Sequence, residues 1–425
     1  MAHNLRRNGY ARLVDRLNRF PQGAPPSPLL DKILQILFSQ KEAELISQLP
    51  IRPFTPEQAS TIWQLPLEKA KDVLASLASR AMLVDIRDKE TTHYVLPPPM
   101  AGFFEFSMMR VRGDVDQKAL ADLFYQYLNQ EEDFVRELFT QGDTQLGRVF
   151  VHEPVLPQHN SIEVLDFERA THVIKNARHR GISICYCRHK MEHKDRACDT
   201  PMDICMTFNT SAASLIRHGH AREVDKTECL DLLAQAYEHN LVQFGENVRE
   251  GVNFICNCCG CCCEAMLAAQ RFAFLEPVHT TNYLPQISES CTGCGTCVNL
   301  CPVQAMSLVS ANNPKKPKRR IAKLDAKLCL GCGVCVRGCP DAQLTLIQRP
   351  QRVITPRDST HRTVIMAIER GKLQHLLFDN QVLFSHRALA AVFGAIFALP
   401  PAKQILASRQ LKSHYLEKII DRVGV

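Results

Sequence analysis

From Pro28 onward the apolar residues Leu30, Ile33, Leu34, Leu37 and Phe38 recur every three or four positions, the period of a helix with one buried stripe. The stretch before it, Pro21–Ser27, is rich in turn formers and reads as a connector. Thr55-Pro56-Glu57-Gln58 then supplies an N-cap, a proline at the first helical position and a capping-box glutamine, starting a short helix that ends near Trp63. Leu65-Pro66 breaks it, and Val73, Leu74, Leu77 and Ala78 define the next helix, which runs to Arg80. Two strand-like stretches follow, Met82–Ile86 and His93–Leu96, joined by the polar turn Arg87–Thr92. The period is again helical over Gln117–Leu128 and Phe134–Phe139, and a strand over Ser161–Leu165 leads into a helix over Glu168–Arg178. Three more helices are expected near the end, His361–Arg370, Leu383–Ala398 and Ala402–Asp421.

This order predicts an α+β, multidomain chain. Helix, helix, turn, helix, hairpin is the order of a winged-helix-like domain, placed at residues 28–98. A mainly helical domain follows at 99–180, and a helical C-terminal segment occupies 358–425. A helix that reads DNA needs a basic face whose side chains reach base edges. Here Lys69, Lys71 and Arg80 are interleaved with Glu68 and Asp72. The domain therefore reads as a docking or scaffolding element, and nucleic acid is not the expected partner.

Composition leaves that picture standing. Charged residues at 22% and hydrophobic ones at 45% describe an ordinary globular chain, and a net charge of +7 over 425 residues is too small to imply nucleic acid. No secretory leader is expected, and the longest apolar run, Ala388–Leu399, has 12 residues closed by Pro400-Pro401, too few to span a bilayer. What changes the picture is cysteine. There are nineteen, with none in the first 184 residues or the last 86. Stapling disulfides would be distributed in a secreted chain, whereas close clustering is the habit of metal sites in a reducing compartment. A cytoplasmic location is expected.

Two runs share one spacing, Cys291-x2-Cys294-x2-Cys297-x3-Cys301-Pro302 and Cys329-x2-Cys332-x2-Cys335-x3-Cys339-Pro340. Three cysteines on a short loop can wrap one face of an iron–sulfur cubane. Gly293, Gly295, Gly331 and Gly333 stand between them, where the backbone must approach closely. Met306–Val309 and Leu344–Ile347 read as short flanking strands. Zinc sites usually take their ligands in pairs, so two matched four-cysteine runs favour clusters. Residues 288–349, about one seventh of the chain, resemble the bacterial two-cluster ferredoxins, whose fourth cysteine in each run ligates the other cluster. The resemblance implies two [4Fe–4S] clusters, one held by Cys291, Cys294, Cys297 and Cys339, the other by Cys329, Cys332, Cys335 and Cys301. It also implies low-potential one-electron transfer. The insert Ala311–Arg320 departs from the compact ferredoxin pattern; its basic stretch 315–320 either docks an acidic redox partner or is a solvated loop.

Eleven cysteines lie upstream, all of them in a cysteine-rich domain placed at 181–287. One group is Cys185, Cys187, Cys198 and Cys205, a sensible count for one further cluster or one zinc ion, with Arg188, His189, His193 and Arg196 interleaved. Basic neighbours would favour thiolates and offset an anionic cluster. The other is Cys256, Cys258, Cys259, Cys261, Cys262 and Cys263, six thiols in eight residues. Adjacent residues point in different directions, so four are expected to ligate: Cys256, Cys259, Cys262 or Cys263, with a distant partner such as Cys205 or Cys229. The two groups can also combine into one site. The Cys258-Cys259-Gly260 string resembles the cysteine-rich modules of heterodisulfide-reductase-type proteins, which would imply a cluster that performs chemistry on a disulfide or thiol. The remaining chain resembles an uncharacterised family of bacterial 4Fe–4S binding proteins with a helical part before the ferredoxin module.

The preferred reading is an electron-transfer protein with two ferredoxin-type clusters, one or two more upstream, and a redox partner protein. Two rivals stand beside it. One is an oxidoreductase component with its substrate at the upstream cysteines, and the other is a redox-sensing winged-helix regulator. No catalytic residue is assigned. Neither a Gly-x-Gly-x-x-Gly nor a P-loop sequence is present, so nucleotide, flavin and nicotinamide sites have no support, and no Cys-x-x-Cys-His marks a haem.

Overall fold

The computed structural model describes residues 8–88, 91–139, 142–156, 165–272, 278–379, 390–392 and 394. The expected strand Ser161–Leu165 and helices Leu383–Ala398 and Ala402–Asp421 fall largely outside them. The chain divides into two units, each assembled from separated stretches: Met1–Thr144 with Ser214–Ala221 and Ser359–Val425, and Gln145–Ala213 with Arg222–Asp358.

In the first unit, local signals set each helix start. Ser27 accepts from the Leu29 N–H ahead of helix Pro28–Leu37, whose Leu30, Ile33, Leu34 and Leu37 are buried. Reciprocal capping boxes, Ser39 with Glu42 and Thr55 with Gln58, open helices Gln40–Ile46 and Pro56–Trp63. Helix Leu67–Ser79 then leads into an antiparallel hairpin, β1 (Val84–Asp88) and β2 (Thr91–Val95). Phe54 pairs with Tyr94 through two backbone hydrogen bonds of 2.9 and 2.8 Å, adding a third extended segment to β2. On helix Leu67–Ser79, Lys71 pairs with Glu68 in solvent. Arg80 instead turns back to the Leu37 carbonyl and Glu42, tying two helix ends together. Behind the helices, Phe38, Phe103, Phe104, Phe124, Tyr127 and Phe134 form a continuous aromatic stack. Buried Asp85 receives Ser214, Arg217 and His218, so the returning segment is held by charge-assisted hydrogen bonds. Burial opposes ionisation of Asp85, but these partners prevail and hold its carboxyl below the usual range. Among the described residues no helix is long and apolar enough to cross a membrane.

The second unit is built on a six-stranded antiparallel sheet that hydrophobic pattern alone does not reveal. Its strands are β3 (Gly147–Val149), β4 (Arg180–Ile184), β5 (Asp203–Phe208), β6 (Arg222–Glu223), β7 (Val242–Glu246) and β8 (Phe254–Cys258), in the order β3-β7-β8-β5-β4-β6. Side chains alternate across the sheet. Ile182, Met206 and Ile255 face helices Ala170–Asn176 and Lys226–Glu238. Val242, Phe244, Cys256 and Cys258 face helix Glu264–Arg271 and the module after residue 278. That module contains two antiparallel pairs: β9 (Tyr283–Ile287) with β12 (Leu344–Gln348), and β10 (Met306–Ser310) with β11 (Arg320–Leu324). The sheet therefore has a helical face and a sulfur-rich face.

Candidate metal centres

In the module at 283–348, each cysteine loop follows the same local plan. Gly295 and Gly333 both take φ 86° just before a short helix, and Gly293 and Gly331 take φ 71° and 73°. These are conformations that a side chain disfavours. A Cβ on Gly293 would lie 2.2 Å from the Arg320 carbonyl oxygen, so the loop also needs the space. Backbone N–H groups turn toward sulfur at matching places: Ala305 to Cys301 at 3.2 Å and Gln343 to Cys339 at 3.3 Å. Ala322 N–H approaches Cys291 and Gly331 N–H approaches Cys329.

Two cavities lie between these loops. One is lined by Cys291, Cys294, Cys297 and Cys339 together with Leu308 and Leu344. The other is lined by Cys301, Cys329, Cys332 and Cys335 together with Met306 and Leu330. Each cavity thus takes three cysteines from one run and the fourth from the other. Converging thiols, apolar walls and inward N–H groups are a donor set that fits an anionic cluster. Burial pushes the Cys329 thiol up to about 11 and that of Cys332 to about 12, so these sulfurs become thiolates only with a cation to stabilise them. Cys294 alone is at the surface of its loop, while Cys291 and Cys297 are buried.

The upstream cysteines come together at one edge of the sheet. The C-terminal end of β4, the start of β5 and the end of β8 are neighbours there, because successive strands are antiparallel. Cys185 and Cys187 follow β4, Cys205 lies on β5, and Cys256 and Cys258 lie two apart on β8. Their sulfurs interact electrostatically in a chain: Cys256 with Cys205, Cys205 with Cys185, Cys185 with Cys187 and Cys187 with Cys263. Cys263 then meets Cys258 at 3.0 Å. Four further sulfurs, Cys198, Cys259, Cys261 and Cys262, form a second group in which all lie within 4.8 Å of one another. The sequence groups 185–205 and 256–263 are thus each split and recombined. Cys198 leaves the first for the second site, and Cys256 and Cys263 join Cys185, Cys187 and Cys205. Cys258 and Cys261 enter the two sites as well. The two-residue step from Cys256 to Cys258 on a strand was the available signal for the first of these. Cys229 is apart, buried on the helical face beside Met206.

Three charged residues organise this edge. Arg188, fully buried, donates to the Asn257 carbonyl at 3.2 Å, while its Nε and second Nη have no hydrogen-bond partner. Its charge faces Cys185, Cys205 and Cys259. Hydrogen bonds from Cys187 and Cys205 and then this charge depress Cys185, outweighing burial. Cys259 is lowered to about 4 by Cys262 and, against burial, by Arg188. A buried guanidinium with unpaired donors among thiols is what an anionic metal–thiolate group would satisfy. Lys190 and Glu264 form a buried ion pair joining the helix after Cys185 to the helix after Cys263. His189 and His193 stack on one another with ring centres 4.9 Å apart.

The two sulfur-rich regions touch. Gln270 Nε2 donates to the carbonyls of both Gly260 and Pro302 at 2.7 Å, and Pro302 follows Cys301. A Cβ on Gly260 would stand 2.9 Å from the Pro302 oxygen, so glycine lets the upstream turn press against the second cavity. Cys258, Cys263, Cys329 and Cys332 share one buried apolar cluster.

With this geometry in hand, the comparisons are specific to one part of the chain. Residues 290–342 match the family model of the 4Fe-4S dicluster domain. No curated protein and no solved structure matches the chain. The matched region and the compact cysteine quartet together identify an iron–sulfur binding protein with at least one candidate metal-binding cysteine group.

Proposed function

We propose that the protein is an electron carrier with two ferredoxin-type [4Fe–4S] clusters and a third cluster at the upstream sulfur chain. The reading rests on one observation above all: two cavities are each lined by an interleaved cysteine quartet, and the second shares an apolar core with the upstream cysteines. Cys291, Cys294, Cys297 and Cys339 would hold one cluster, and Cys301, Cys329, Cys332 and Cys335 the other. The third would draw its ligands from Cys185, Cys187, Cys205, Cys256, Cys258 and Cys263. Clusters of this type exchange single electrons at potentials set by burial and hydrogen bonds to sulfur. The chain excludes water with Met306, Leu308, Leu330 and Leu344, directs N–H groups at sulfur, and holds the upstream turn against Pro302 through Gln270. Lys315, Lys316 and Lys318 stand exposed on the loop joining β10 to β11, a docking surface for an acidic redox protein. Arg319 on that loop donates to the Glu289 carbonyl at 2.8 Å and to the Cys291 carbonyl, which keeps the basic loop beside the first cavity. The helix–helix–hairpin part of the first unit is read as a winged-helix-like docking domain, and the abundance of thiols suits a reducing cytoplasm.

Anaerobic reconstitution with iron and sulfide counting, read together with Mössbauer spectra, tests this. About twelve irons per chain are expected for three clusters. About eight would confine clusters to the module at 290–342, and a chain that takes up no iron would overturn the reading. A second reading draws on a specific feature, since six sulfurs exceed the four that a cubane needs. An oxidoreductase with its substrate at the upstream chain would show an EPR signal there that changes on adding a thiol or disulfide; an unresponsive signal rejects it.

A further inference from the structure

We propose that Cys198, Cys259, Cys261 and Cys262 hold a single zinc ion, separate from every cluster. These sulfurs all lie within 4.8 Å of one another, with Cys261 and Cys262 at 3.5 Å and Cys262 and Cys198 at 3.9 Å. A tetrahedral zinc ion with Zn–S bonds of about 2.3 Å sets its ligand sulfurs about 3.8 Å apart. A cubane spreads its thiolates wider, because each binds a different iron corner. The same structure supplies the contrast. Among the described residues no other group of three or more Cys, His, Asp or Glu meets that spacing, and neither ferredoxin quartet does.

The donor set is four thiolates with no histidine or carboxylate, the closed arrangement of a structural zinc site. What such an ion would do follows from the chain around it. Residues 193–202 carry no helix or strand, and Cys198 lies in their middle. Its partners come from the turn between β8 and helix Glu264–Arg271. An ion here staples an irregular ten-residue excursion to the turn that Gln270 holds against Pro302. Thr200 Oγ1 lies 3.1 Å from Cys198 Sγ, a further partner for that thiolate. Binding replaces thiol protons with one dication, leaving a net charge of −2 on the four-thiolate site. The buried Arg188 guanidinium, whose charge faces Cys259, offsets part of it. No electron is exchanged.

The test uses the full chain purified anaerobically. Elemental analysis should give one zinc per chain, and absorption at the zinc edge should give four sulfurs at about 2.3 Å. Cys261→Ser, at the exposed corner of the site, should lower zinc content at least tenfold with iron and acid-labile sulfide unchanged. Should that variant misfold, Cys261→His decides, because it should keep zinc and change the shell to three sulfurs and one nitrogen. A parent chain without zinc overturns the proposal, as does a single iron in zinc's place. Loss of about four irons in Cys261→Ser would make the quartet a cluster site and would also overturn it. Zinc content and iron count are read separately, so the failure of this proposal and of the electron-carrier reading are distinguishable.

Discussion

The module at 290–342 and the sheet edge at 185–263 are both rich in cysteine, but they gather it by different physics. In the module each loop makes its own half-site. Cysteine spacing, positive-φ glycines and inward N–H groups are all local, and only the fourth cysteine comes from the other run. At the sheet edge no short stretch makes a site. Cys185, Cys205 and Cys256 become neighbours only because β4, β5 and β8 pair antiparallel, and Asn257 sits beneath them. Its Oδ1 accepts from Gln243 at 3.0 Å and its Nδ2 donates to the Ile204 carbonyl at 2.8 Å. A local site is robust to the rest of the fold, whereas a site assembled by register depends on it. The largest expected effect probes that difference directly. Cys332→Ser should cost the module about four irons and leave the upstream signal intact. Cys205→Ser should do the reverse, read by Mössbauer and EPR spectra of each variant. If either variant loses both signals, the regions are one cooperative site and the contrast fails.

The next effect in size belongs to a single loop. Gly293 combines φ 71° with a Cβ position 2.2 Å from backbone oxygen. Gly293→Ala should cost roughly 2–5 kcal/mol, with loss of the first cluster's signal. Gly113→Ala, where a Cβ would meet nothing within 4 Å, is the matched control and should leave the denaturation midpoint nearly unmoved. A Gly293→Ala variant with a normal midpoint would remove the argument that loop conformation builds this half-site.

The same distinction explains what was legible in the sequence. Helix starts at Pro28 and Pro56 were readable because caps and periodicity act within a few residues. The cysteine runs at 291–301 and 329–339 were readable because a repeated spacing records a repeated loop. The six-stranded sheet was not, since its strands are five residues or fewer apart from β5, and central ones such as β7 are buried on both faces, which blurs the period of two. Without the sheet, distance along the chain put Cys198 with Cys185, and a partner from one group in the other, such as Cys205 with the later cysteines, stood only as an alternative. The bulge between Ser183 and Ile184 changes register one residue before Cys185, a detail that no spacing rule contains. Arg188 was visible as a basic neighbour, but its burial against Asn257 was not.

Asn257→Leu sharpens the comparison at lower amplitude. It removes one of the two acceptors of the buried Gln243 amide and the side-chain donor to the Ile204 carbonyl without replacing any cysteine. A loss of about 1–3 kcal/mol is expected. Iron at the upstream site should fall while the module keeps its spectrum. An unchanged upstream signal would mean that the sulfurs are held by their own loops after all.

The smallest effect tests whether the regions also differ in what they show to a partner. Lys315, Lys316 and Lys318 are exposed and stand beside the first cavity, far along the chain from any upstream cysteine. Reversing all three to glutamate should leave iron content and stability unchanged, because surface charges of this kind contribute little to folding. Reduction by an acidic donor protein should slow about tenfold at low ionic strength. The difference should shrink as salt rises, since screening acts within about 8 Å at physiological ionic strength. A variant that is slow at every salt concentration would point to a disturbed loop, because Arg319 ties this segment to the Cys291 carbonyl. A variant with no defect at low salt would move the entry point away from the module, and the sheet edge would then be the face on which electrons arrive.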